Sequence, residues 1–237
     1  MLSDGLQQSF VPRLSAQARD ELALFQQALS GITLGPAPDK RITPFSKGDW
    51  GLDSGALYNL LKARGQPEDP RAVFIWHNSA PPRVQLFMWL LLHRRIQCRT
   101  VVLTKHIVQD AICEICHEAE ENPDHIIKGC TLGRQIWQLL NCPSVLSTEI
   151  TSFYAISPTG GVPPHDFSAF IALVCWQLWK ARNAAIFRQE FMNANQLLAS
   201  CKATAEHWRA RMKPSKRQIA DAWCQLFEMA RQGLGGS

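Results

Sequence analysis

Four residues in the middle of the chain have types and spacing that could do chemistry: Cys113, Cys116, His125 and Cys130, in the pattern C-x2-C-x8-H-x4-C. Three thiolates and an imidazole satisfy a tetrahedral zinc ion, and the CxxC turn lets both of its sulfurs reach one metal. Four protein donors leave no coordination position for water or substrate, so the expected cofactor is a single structural Zn2+, not a hydrolytic centre. The stretch 118–124 is too polar to build a core, so something other than apolar burial must order it. Structural zinc contributes about 10 to 16 kcal/mol in small finger domains. His117 is a rival fourth ligand, but its adjacency to Cys116 makes the four-residue gap from His125 to Cys130 the better geometry. Cys113-Glu-Ile-Cys116-His117 also matches the attachment motif of c-type haem, which needs an oxidising export compartment and a second axial ligand, neither indicated by the sequence.

The surrounding charge is uneven. Asp110, Glu114, Glu118, Glu120, Glu121 and Asp124 crowd the cysteine cluster with no Lys or Arg between Asp110 and Asp124. Such a loop repels phosphate unless cations offset it. The chain as a whole has a formal net charge of +5, and residues 180–237 hold ten Lys and Arg against four Asp and Glu. Arg94, Arg95, Arg99 and Lys105 near the cysteines, with Lys213, Lys216 and Arg217 further on, are the candidate contacts to nucleic-acid phosphates; each also reads as an ordinary solvated helix end. The remaining cysteines, Cys98, Cys142, Cys175, Cys201 and Cys224, lie in apolar or helical surroundings where a free thiol behaves as a small hydrophobe.

Positioning these groups falls to helices. Leu22, Phe25 and Leu29 recur at helical spacing; Ser54–Ala63 and Pro82–Leu92 follow the same pattern, the second with Val84, Phe87, Met88, Leu91 and Leu92 as a core face. A further helix is expected from Leu132 to Leu140, one long helix from Phe167 to Phe191, and two more from Asn195 to Arg211 and from Lys216 to Arg231. The expected fold is mainly α: a helical domain with a zinc-stapled CCHC loop, followed by C-terminal helices. Residues 1–19 are expected to be a flexible segment, 20–140 the zinc-bearing domain, 141–166 a Pro-, Ser- and Gly-rich linker, 167–232 a basic helical region, and 233–237 a disordered tail. Apolar runs such as 84–92 and 170–179 are half the length of a membrane span. Leu2, Leu6, Phe10, Arg13 and Arg19 make a weak mitochondrial presequence, opposed by Asp4 and Pro12. The expected compartment is therefore cytoplasm or nucleus, with the mitochondrion as the alternative.

Together these residues resemble a known family: the reverse-transcriptase zinc-binding domain found downstream of the polymerase in plant LINE-type (non-LTR) retroelements and in their stand-alone descendants. The resemblance rests on Tyr58, Trp76, Pro82, Val84, Phe87, Trp89-Leu90, Thr100 and Leu103, followed by Cys113, Cys116, Glu121, His125, Cys130 and Trp137. The stretch WQLWKARNAAIF, from Trp176 to Phe187, is similar to the helix that often follows this domain. The resemblance implies that Cys113, Cys116, His125 and Cys130 are zinc ligands and that Trp76, Phe87, Trp89 and Trp137 are core aromatics. Neither tyrosine, Tyr58 or Tyr154, precedes a polymerase Asp-Asp pair, and no hydrolase or nucleotide-loop motif is present. The expectation is a non-catalytic module that binds RNA or single-stranded DNA without strong sequence specificity and takes no small-molecule substrate. The alternative is a zinc-stapled protein-interaction module.

Overall fold

The computed structural model describes residues 15–31, 43–47, 51–63, 69–158, 161–164 and 166–234. The expected flexible segment 1–19 lies outside these up to residue 14, as does the tail from residue 235. The chain divides into two compact units, 1–66 and 67–237.

In the first unit, α1 (Ala16–Leu29) starts at Ser15, whose hydroxyl accepts the Ala18 N–H. A two-residue antiparallel hairpin pairs β1 (Ser46–Lys47) with β2 (Gly51–Leu52), and α2 (Ser54–Ala63) follows. The Asp53 carboxylate accepts the Ala56 N–H at the head of α2.

The second unit carries the core. Asp69 caps α3 (Pro70–Trp76) by accepting the Arg71 N–H, and Pro70 occupies the first turn, where its missing donor costs nothing. After α4 (Pro82–Leu92) come α5 (Arg99–Thr104), the cysteine-rich loop, α6 (Thr131–Leu139) and α7 (Pro143–Ser147). The long α8 (Phe167–Arg188) is buried on all sides along most of its length, which is why its sequence shows no single apolar stripe. It is the central post of the fold. Phe87 of α4 meets Trp176 edge-on at 5.2 Å and stacks on Trp179 at 5.9 Å.

α9 (Ala194–Arg211) opens with a reciprocal capping box between Asn193 and Gln196, and α10 (Arg217–Gln232) returns alongside it. Contacts Asn195–Arg231, Lys202–Glu228 and Arg209–Asp221 descend in step, the signature of an antiparallel pair. Phe227 of α10 stacks on Phe170 of α8 at 5.4 Å, tying the hairpin to the post.

Two sequence expectations need correction. Residues 141–166 are no linker: α7 and a 3-10 helix over Ile150–Ala155 run through them, and Val145, Ile150, Phe153, Ile156 and Val162 are buried in the core. The described core is thus continuous from α3 to α10. Trp76 is 43% exposed, unlike Phe87 and Trp137, since the face of α3 it shares with Val73 points away from the Ile75 side. Among the described residues no helix is long and apolar enough to cross a membrane.

Candidate metal centre

The cysteine-rich loop begins as a small hairpin. Ile112 bridges Glu120, Cys113 N–H donates to the Ala119 carbonyl, and Glu121 N–H donates to the Ala111 carbonyl. Between these rungs the chain folds into the CxxC knuckle: Ile115 N–H donates to Cys113 Sγ at 3.4 Å, and His117 N–H to the Cys113 carbonyl at 2.9 Å. His117 sits in the left-handed region at φ 54°, and it is exposed, turned out of the cluster. This answers the rivalry between the two histidines, because the other three ligands gather around His125.

The other half comes from a single π-helical turn, His125–Gly129. Asn122 caps it by accepting the His125 N–H, and Cys130 N–H closes it by donating to the His125 carbonyl at 2.7 Å. The wider turn brings residues five apart to one side, which is what an H-x4-C pair needs to reach a common point. Gly133 allows the first turn of α6 to sit against this π turn. A Cβ there would lie 2.7 Å from the Ile127 carbonyl oxygen, the atom that accepts the Trp137 indole N–H. Gly133→Ala should therefore cost about 1 to 3 kcal/mol in urea unfolding, the usual range for overpacking against an atom that cannot yield.

The four donor atoms all lie within 4.8 Å of one another. Cys113 and Cys130 sulfurs are 3.9 Å apart, and Cys116 sulfur is 3.3 Å from His125 Nε2. A tetrahedron with ordinary zinc–sulfur and zinc–nitrogen lengths has edges of about 3.5 to 3.8 Å, so these two pairs stand within a few tenths of an ångström of the geometry that the ion requires. The Cys113 thiol, bonded to Cys130 and partly desolvated, is pushed up to about 11, while the same bond holds Cys130 below the ordinary thiol range. Cys130 also stands at the N-terminus of α6, where the helix dipole favours a thiolate. The donor set is complete, three of its four residues are buried, and when bound the ion would supply cross-linking, not catalysis.

Acidity around the loop is largely answered within the structure. Arg99 bonds Asp110 at 3.0 Å and also Glu114; Arg94 pairs with Asp124 at 2.7 Å, with Lys128 behind it at 3.7 Å. Glu121 is fully buried and joins three elements. Its carboxylate takes a bidentate contact from Arg182 of α8 and the backbone N–H of Arg99 at 2.9 Å, while its own carbonyl accepts the Thr100 N–H. Arg182 is itself buried and lies over the Trp179 ring. Glu121 belongs to the resemblance, but its partner is not legible there; the available signal was Arg182, a cation flanked by the alanines and apolar residues that bury this part of α8.

The candidate phosphate contacts separate accordingly. Arg94 and Arg99 are engaged by acids of the zinc loop, and Lys216 holds Asp166 at 3.0 Å. Arg95, Lys105, Lys213 and Arg217 are exposed and form no ion pair among the described residues. Cys98, Cys142, Cys175 and Cys201 are buried as expected of small hydrophobes, and Cys224 is half-buried.

Residues 53–137, from just before α2 to the interior of α6, match the protein family described as zinc-binding in reverse transcriptase. That stretch includes all four metal donors. No curated protein and no solved structure matches the chain.

Proposed function

We propose that this protein is a zinc-stapled, non-catalytic module, descended from a plant LINE-type retroelement, that grips RNA or single-stranded DNA through backbone phosphates. The reading rests on the match to a zinc-binding domain of reverse transcriptases together with one observation about charge. Asp110, Glu114, Glu121 and Asp124 are neutralised inside the fold, whereas Arg211, Lys213 and Arg217, around the turn between α9 and α10, form no ion pair among the described residues. Arg217 is the first residue of α10, where the helix dipole disfavours a cation. Helix stability does not explain it, and an external anion does.

Phosphate contacts of this kind carry no base information, so the expected binding is tolerant of sequence and steeply salt-dependent. On immobilised single-stranded RNA, retention should fall with log salt at a slope near −0.7 per phosphate contact, and Lys213→Glu with Arg217→Glu should weaken it roughly tenfold or more at low salt. Retention of that double variant equal to the parent's at every salt concentration would refute the reading. Lys216 is left out of the test because its bond to Asp166 is structural.

A second reading, capture of a protein partner, draws on the end of α8, where Phe187 is 75% exposed and Phe191 56% exposed. Apolar contact there would survive salt that strips RNA. Phe187→Ser would abolish it and leave RNA retention unchanged.

A further inference from the structure

A cleft of about 340 Å³ opens between the loop leading from α3 to α4 and the turn between α9 and α10. Its size is at the lower end of pockets that hold a small ligand. Ser79, Ala80, Pro81 and Pro82 form one wall; Trp208 and Met212 form the apolar floor; Arg211, Lys213 and Lys216 stand around it. We infer that this cleft is a phosphate subsite for nucleic acid, seating one nucleotide's phosphate between Arg211, Lys213 and the Ser79 hydroxyl. The inference rests on the nucleic-acid reading above and names where that reading puts its strongest anchor.

Three observations support it. The side chains of Arg211 and Lys213 are exposed and take part in no ion pair or hydrogen bond among the described residues, although neighbouring Arg209 is paired with Asp221. Two unpaired cations beside a concave, partly apolar surface raise the local affinity for an anion beyond what the same charges achieve on a flat face. Ser79 Oγ is buried and has no hydrogen-bond partner, a condition that native structures rarely tolerate without a ligand or water. The atom is closed to solvent in this structure, so donating to a phosphate oxygen in the cleft requires the Ser79 side chain to turn about χ1.

The cleft is also held in shape. Asp166 accepts the Ser79 backbone N–H at 3.2 Å through one oxygen and Lys216 Nζ at 3.0 Å through the other, clamping the α3–α4 loop to the turn before α10. Lys216 therefore serves the wall, and Asp166 has its charge answered there. Arg211 and Lys213, free of such duties, are available to an incoming phosphate.

The test uses the full chain and two probes. Inorganic phosphate, compared with chloride at matched ionic strength, should raise the thermal unfolding midpoint of the parent. The Arg211→Gln/Lys213→Gln variant should keep the parent's unliganded midpoint and lose the phosphate-dependent rise, and Ser79→Ala should diminish it. Single-stranded RNA binding, measured by anisotropy across salt, should lose about 1.4 from the magnitude of its salt slope in the double variant, about 0.7 per lost phosphate contact. Inorganic phosphate should compete with the RNA in the parent. A parent that phosphate does not stabilise, or a double variant stabilised equally, would overturn the subsite; RNA binding by that same parent would leave the wider reading intact. A phosphate-dependent rise lost in the variant, with no RNA bound by the parent, would overturn the nucleic-acid occupant and the wider reading together. An RNA slope unchanged in the variant would place the grip elsewhere and overturn the subsite as a nucleic-acid contact.

Discussion

Purified under reducing conditions, the protein should contain one zinc per chain, and chelation or Cys116→Ser should unfold the loop from Cys113 to Cys130. The reason is the composition of that loop. Between Cys116 and His125 every residue except Pro123 and Ala119 is polar or charged, and Glu118 and Glu120 remain exposed without ion-pair partners, so apolar burial contributes little to its order. Metal binding of about 10 to 16 kcal/mol in comparable small sites exceeds what a two-rung hairpin and one π turn contribute on their own. Loss of one donor leaves an open coordination position and lowers affinity. The effect should also spread, because the π turn packs against α6 and α8. Limited proteolysis should cut the variant first within 113–130, then loosen α6, while the α9–α10 hairpin, held by its own paired residues, resists longest. Equal protease resistance of variant and parent in the loop, or preparations without zinc, would remove the metal from the structure's account.

That the four donors were legible in the sequence follows from their locality. A CxxC knuckle and an H-x4-C turn are each decided by a few residues of backbone, and the two halves lie close along the chain, so spacing alone carries the geometry. Helices with strong periodicity, such as α4 with Val84, Phe87, Met88, Leu91 and Leu92 inward, were legible for the same reason. What was not legible depends on contacts between distant segments. The acidic loop looked hostile to phosphate because the cations answering Glu121 and Asp124 come from α8, from the end of α4 and from the π turn. Trp76 counted as core because the resemblance carries it over as a core aromatic, and a family likeness does not say which face of a short helix is covered here. The stretch 141–166 resembled a linker because it is rich in Pro, Ser and Gly, yet it buries Ile150 and Phe153, whose partners lie in distant segments.

The second large effect concerns the buried pair between Glu121 and Arg182. Removing one partner, by Arg182→Ala or Glu121→Gln, should destabilise the second unit by about 3 to 5 kcal/mol in denaturant unfolding, the cost of leaving a desolvated charge or its donors unanswered. Arg182→Lys should recover little, since an ammonium cannot reproduce the two-pronged contact to both carboxylate oxygens or lie over the Trp179 ring. The two singles should not cost the same. Glu121→Gln keeps one acceptor oxygen for the Arg99 N–H that heads α5 and should be the milder change, whereas Glu121→Leu orphans that backbone donor as well as the guanidinium. Replacing both residues at once, Glu121→Leu with Arg182→Met, should therefore be milder than the sum of the singles and milder than Glu121→Leu alone, because no charge is left buried. Zinc content separates this effect from the first. The pair touches the hairpin that carries Cys113 and Cys116 through the backbone of Glu121, so the singles should weaken zinc retention in competition with a chelator while the double restores part of it. If the singles unfold the protein more easily yet hold zinc as tightly as the parent, the pair braces α8 against α5 and has no part in shaping the metal site.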